Sequence, residues 1–175
     1  MKNKLALWLG MMFLCVTLMA QNSLNLIPIP QQMTEAGGSF VMGKVMLETP
    51  VWQDQWQKFV ADAGGTIVPK SSRKIEVKLV TEVQGAKLNQ EEAYRLVVSS
   101  KGVLVEATTE KGVYWALQTL RQLEQKDGRF KACEIVDWPA FKIRGFMHDV
   151  GRSYLALDEL KKEIEILSRY KINVF

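Results

Sequence analysis

The chain has 175 residues, 47% of them hydrophobic and 24% charged, which excludes disordered and fibrous classes and allows one or two modest domains. Its formal charge of +4 comes from 23 basic and 19 acidic residues. No Lys/Arg block of the kind that tracks a phosphate backbone is present, which argues against a nucleic-acid partner.

Residues 1–20 open with Lys2 and Lys4 and continue into the apolar run "LALWLGMMFLCVTLMA". A charged start before a short apolar run predicts a secretory signal, cleaved after Ala20, and the run is too short for a stable membrane span. Leu14 stands where a small residue should precede a lipidated cysteine, so Cys15 is a poor anchor site. The expected destination is therefore periplasmic or extracellular. Without these residues the charge is +2, from 21 basic and 19 acidic residues, so the apparent basicity belongs partly to the leader. Cys133 is then the one cysteine left, which excludes an internal disulfide and reads as a small buried apolar residue.

After the extended lead-in "IPIPQQ", the segments "SFVM" and "KVMLET" read as strands divided by Gly43. "VWQDQWQKFVADAGG" reads as a helix with Trp52, Trp56, Phe59 and Val60 on one stripe and a glycine stop. "KIEVKLV" alternates, with Ile75, Val77 and Leu79 on one side and Lys74, Glu76 and Lys78 on the other, as a sheet half open to water requires. "YRLVVSSKGVLVEAT" reads as a hairpin turning at Ser99–Gly102. In "TTEKGVYWALQTLRQLEQKDG", Val113, Ala116, Leu117, Leu120 and Leu123 share one helical stripe. Residues 21–136 are thus expected to form an α/β domain with a mixed sheet covered on one face by helices.

The pattern changes at "VDWPAF", where Pro139 holds Trp138 extended. "KIRGFMHDV" has apolar residues on both sides, as in a parallel strand buried on both faces. "LALDELKKEIEILSRYKI" reads as a helix with Asp158 as N-cap and Leu160, Ile164 and Leu167 on its inner face, and "NVF" begins another strand. Residues 137–175 therefore read as the first β-α-β unit of a parallel (β/α)8 barrel. A closed barrel of that type takes about 250 residues, so the chain is expected to be a truncated form.

Ligand chemistry in such barrels collects at the carboxyl ends of the strands, where Asp149 and Arg152 fall. A guanidinium offers five fixed donors suited to neighbouring sugar hydroxyls or a carboxylate. An Asp149–Arg152 ion pair that only shapes the loop is the competing reading. His148, the single histidine, reads as structural, and Arg144 as a support beneath the barrel. Glu91, Glu92, Glu163 and Glu165 read as solvated charges, and Trp52, Trp56 and Trp115 as core or interface residues.

The segment from "DWPAFKIRGFMHDVGRSYLA" to "KINVF" resembles the start of the catalytic barrel of glycoside hydrolase family 20, the β-N-acetylhexosaminidases. Arg144-Gly145, Asp149, Arg152 and Asn173-Val174-Phe175 match the family pattern in order and spacing. "LIPIPQQM", "EAYRLVVSSKGVLVEATTEKGVYWALQTLRQL" and "EIVDWPAF" are similar to the accessory domain that precedes it. His148 departs from the family's apolar residue, and Gly151-Arg152-Ser153 from its small residue-Arg-His.

The resemblance implies a retaining, substrate-assisted hydrolase of terminal non-reducing β-linked N-acetylhexosamine, working without metal or organic cofactor. Its Asp-Glu pair is not assignable within these 175 residues, so the chain alone is expected to be inactive. Arg152 is implied to grip the sugar's hydroxyls and Asp149 to orient that guanidinium. A non-catalytic module binding carbohydrate or protein is the alternative.

Overall fold

The computed structural model describes residues 24–175 apart from Lys126 and Ser153; the expected leader, residues 1–20, lies outside the described residues. Among the described residues seven strands form one mixed sheet: β1 (Gln32–Val41), β2 (Lys44–Glu48), β3 (Thr66–Ile67), β4 (Lys74–Leu79), β5 (Tyr94–Ser99), β6 (Gly102–Ala107) and β7 (Arg129–Asp137). Their order is β1-β7-β5-β6-β4-β2-β3. The β1, β7, β5 and β6 neighbours are antiparallel, whereas β6, β4, β2 and β3 run parallel. Among the described residues the helices are α1 (Gln53–Asp62), α2 (Glu110–Leu123) and α3 (Leu157–Arg169).

The expected hairpin is β5–β6, with Tyr94 opposite Ala107 and Ser99 opposite Gly102. Alternation decides the faces: Tyr94, Leu96 and Val98 are buried with Val103, Val105 and Ala107 under α2. The α2 stripe Val113, Ala116, Leu117, Leu120 and Leu123 is buried throughout, each Val or Leu contributing roughly 1.5–3 kcal/mol of apolar transfer. Phe59 of α1 reaches the same core, its ring 5.8 Å from that of Phe130 on β7. Gly64, at φ +73°, and the Gly65 N–H returning to the Val60 carbonyl at 2.8 Å close α1.

The opposite face is mostly charged. Arg95 pairs with Glu106 and Glu134, both at 2.7 Å, and Lys74 with Glu48 at 2.7 Å and Glu76 at 3.0 Å. Val83, Ala93, Val136 and Trp138 form a small second core at one end of this face, under the connection from β4 to β5. β1 carries a bulge between Glu35 and Ser39, and β3 has only two residues.

Several expectations are corrected at element ends. Trp52 is the αL residue before α1 rather than part of its buried stripe; half-exposed, it packs on Tyr114 and donates Nε1–H to the Glu110 carbonyl at 2.8 Å. Leu79, at the end of β4, is exposed. In "KIRGFMHDV", ladder pairing among the described residues is confined to one parallel bridge, Gly145 to Val174, and Phe146, Met147 and Val150 are exposed. One neighbouring strand cannot bury both faces. α3 starts at Leu157 with Ala156 as N-cap, so Asp158 lies inside the first turn; Glu159 accepts the Ala156 N–H at 3.3 Å. Leu160 and Leu167 are partly buried, and Ile164 is exposed. Cys133 is buried as expected.

Candidate functional site

The loop that follows the segment bridged to Val174 is built around the Asp149 carboxylate. Its Oδ1 accepts the Gly151 N–H at 2.9 Å, and its Oδ2 accepts Arg152 Nε–H at 2.6 Å and also pairs with Arg152 Nη2. Arg152 holds the Asp149 carboxyl below its ordinary pKa, with the Gly151 N–H adding to the effect. Asp149 thus closes a local turn and orients one edge of the guanidinium. The rest of the fork faces outward, the Arg152 side chain being 89% exposed. The two residues singled out by their position in the sequence therefore meet, as an exposed pair.

His148 turns away from them. Its Nδ1 lies 3.1 and 3.0 Å from the two Glu163 carboxylate oxygens, tying the end of the strand to α3. Glu163 is therefore not the freely solvated charge expected from the sequence. Asn173 secures the start of the segment, donating Nδ2–H to the Lys142 carbonyl at 2.8 Å while Oδ1 accepts the Arg144 N–H at 2.9 Å. Backbone bonds from Asn173 to Arg144 at 3.0 Å and from Phe146 to Val174 at 3.0 Å complete the short parallel pairing.

Arg144 serves as the expected support, but against the sheet domain. Its Nη2 donates to Glu92 at 2.5 Å, Nε to the Lys171 carbonyl at 2.6 Å and Nη1 to the Phe141 carbonyl at 2.8 Å, with its guanidinium 5.4 Å from the Trp115 ring centroid. Glu92, also expected to be solvated, is buried and accepts Trp115 Nε1–H at 2.7 Å. Thr108 and Thr109 fix it in place: their hydroxyls donate to the Gln90 and Glu91 carbonyls, both at 2.5 Å, pinning the 3-10 turn Gln90–Glu92. Gly112 brings α2 onto that turn, since a Cβ there would lie 2.3 Å from the Ala93 carbonyl oxygen.

Beside this cluster lies a second buried one that nothing in the sequence suggested. Lys171 Nζ donates to Asp137 Oδ2 at 2.6 Å and to Tyr94 Oη at 2.8 Å. Tyr94 Oη donates to Asp137 at 3.0 Å and lies 2.6 Å from Thr119 Oγ1, while Asp137 Oδ1 accepts the Gln31 N–H at 3.1 Å. Burial pushes the Lys171 pKa below its ordinary value, opposed by Asp137. Both clusters line a crevice of about 200 Å³ between the sheet domain and the C-terminal unit. Among the described residues, no three His, Cys, Asp or Glu side chains group as a metal site, and no helix is long and apolar enough to cross a membrane.

Comparison with known proteins assigns both parts. The family model for glycosyl hydrolase family 20, domain 2, matches residues 23–138, and that for the catalytic domain of the same family matches residues 141–175. A beta-hexosaminidase of Porphyromonas gingivalis is 28% identical over 172 residues, covering 87% of this chain and 22% of its own length. A beta-N-acetylhexosaminidase of Cellulomonas fimi is 40% identical over 88 residues, 48% of this chain and 18% of that protein. The chain thus spans about a fifth of the length of these relatives. The crystal structure of the beta-N-acetylhexosaminidase from Bacteroides fragilis superposes with a TM-score of 0.66 at 27% identity, covering 85% of this chain and 32% of that one. With the expected α/β architecture observed and a family model covering most of its residues, the chain belongs to glycosyl hydrolase family 20.

Proposed function

We propose that this chain is the N-terminal part of an exported β-N-acetylhexosaminidase, and that Arg152 binds the terminal sugar of its substrate while Asp149 orients the guanidinium. The observation that carries the reading is the outward-facing Arg152 fork, braced along one edge by Asp149, within the stretch that matches the family's catalytic domain. A guanidinium held this way loses little freedom when it donates to a pair of adjacent hydroxyls. The substrate is a glycan ending in β-linked N-acetylglucosamine or N-acetylgalactosamine, hydrolysed with retention through its own acetamido group. The acid-base carboxylates for that chemistry lie in sequence beyond Phe175, and the 175-residue chain by itself is inactive. Residues 1–20 direct export to the periplasm or the exterior.

The test begins with the encoding DNA, read past Phe175, and expression of the whole product. It should release nitrophenol from a chromogenic N-acetyl-β-glucosaminide, and Arg152→Ala should lower kcat/KM roughly tenfold to several hundredfold, from loss of charged hydrogen bonds worth about 1.5–3 kcal/mol each. Absence of hydrolysis by the whole product, or full activity in Arg152→Ala, refutes the proposal.

A further inference from the structure

Two cations of the C-terminal unit enter one acidic and aromatic crevice of the sheet domain. Arg144 meets Glu92 and overlies Trp115; Lys171 meets Asp137, with Nζ 5.0 Å from the Tyr94 ring centroid. The bond from Arg144 Nε to the Lys171 carbonyl joins the two. The Lys171 and Asp137 side chains are only 8% and 9% exposed, and those of Arg144 and Glu92 16% and 7%, so each charge depends on its partner to offset lost hydration. The four receiving side chains come from the 3-10 turn, β5, α2 and β7, so the sheet domain alone fixes their positions.

On the other side, Arg144 and Lys171 flank the paired ends of the β-α-β unit, where Gly145 bridges Val174. Lys171 follows the C-cap Tyr170 of α3, and Arg144 begins the segment that ends in Asp149. His148 then ties the root of the Asp149–Arg152 loop to α3 through Glu163. The loop is consequently connected to the sheet domain along both the strand and the helix.

We infer that Arg144 and Lys171 form an interdomain clamp, and that Arg144 is a positioning residue through which the sheet domain sets where the Asp149–Arg152 loop stands. Its bearing on sugar binding rests on the reading of Arg152 given above. The clamp gives the accessory domain a task in the site without contact with substrate.

Amide exchange and chemical shifts of this chain, compared with Glu92→Gln and separately Arg144→Lys, test the clamp. Glu92→Gln removes the charge that Arg144 faces, and Arg144→Lys keeps the charge but loses the fork. Exchange should quicken about tenfold or more at Phe146, Asn173 and Val174 while Leu96, Val98 and Val105 change by less than about twofold. The Gly151 amide and Arg152 Nε–H resonances should shift in both variants. No selective rise at those three amides in either variant overturns the clamp, and unmoved Gly151 and Arg152 resonances overturn the positioning role. Failure of the whole product to hydrolyse hexosaminides refutes the reading of Arg152 and leaves these exchange results standing.

Discussion

Tyr94→Phe removes one buried oxygen and almost no volume, so its cost isolates the polar hub beneath the interdomain crevice. The hydroxyl lies 2.6 Å from Thr119 Oγ1, 2.8 Å from Lys171 Nζ and 3.0 Å from Asp137 Oδ2. Every group is satisfied when Tyr94 donates to Asp137 and accepts from Thr119 and Lys171. In the variant, Lys171 and Asp137 keep their 2.6 Å bond and Asp137 keeps the Gln31 N–H, so the charges stay paired. What is lost is one hydroxyl's set of bonds, with no cavity contribution, which sums to about 2 kcal/mol. Urea unfolding followed by tryptophan fluorescence should show that loss as a midpoint lower by about 1 M, with an unchanged slope. Burial first, then Asp137, raises the Tyr94 pKa well above its ordinary value. The folded state therefore retains a proton that the unfolded chain releases above about pH 10, and wild-type stability should decline there with a slope the variant lacks. A loss below about 0.5 kcal/mol at pH 7 would mean that Tyr94 acts only as a hydrophobic ring.

Three further outcomes follow from individual side chains. Asp149, lowered by Arg152, should titrate by carboxyl NMR below the ordinary aspartate value, and Arg152→Gln should move it upward; equal values in both proteins contradict the ion pair. Its contribution is present above the unfolded pKa and lost as pH falls through the folded one. Burial pushes the Cys133 thiol up to about 11, so a neutral thiol reagent at pH 8 should label it slowly in the native protein and rapidly in urea, and equal rates would contradict its burial. Gly112→Ala should destabilise by about 1–3 kcal/mol through collision with the Ala93 carbonyl, measured by the same unfolding assay; a neutral result would show that α2 can back away.

Much of the sheet domain was readable because its elements answer to near neighbours in the chain. The β4 alternation, the β5–β6 hairpin and the α2 stripe each repeat with the period of their own geometry. Strand β7, between β1 and β5, was not recognised as a strand in the sequence, because Glu134 and Lys131 interrupt its apolar run. The missed polar residues share a different cause. Glu92 finds Trp115 and Arg144, 23 and 52 residues away, and Lys171 finds Tyr94 at a separation of 77, distances over which periodicity carries no information. A glutamate in a polar turn and a lysine after a helix look solvated until the fold brings their partners. The Asp149–Arg152 ion pair was legible because its members are three residues apart, within reach of each other in a short loop.

The two outermost strands carry a consequence for how these molecules behave when crowded. β3 offers two residues of open backbone, and β1 is bent by its bulge and by Gly38 at φ +96°. Neither presents the long flat ribbon on which a neighbouring molecule could add its own strand. Concentrated preparations of this domain should therefore resist fibril growth through sheet extension, even though the sheet at its centre is closely ordered.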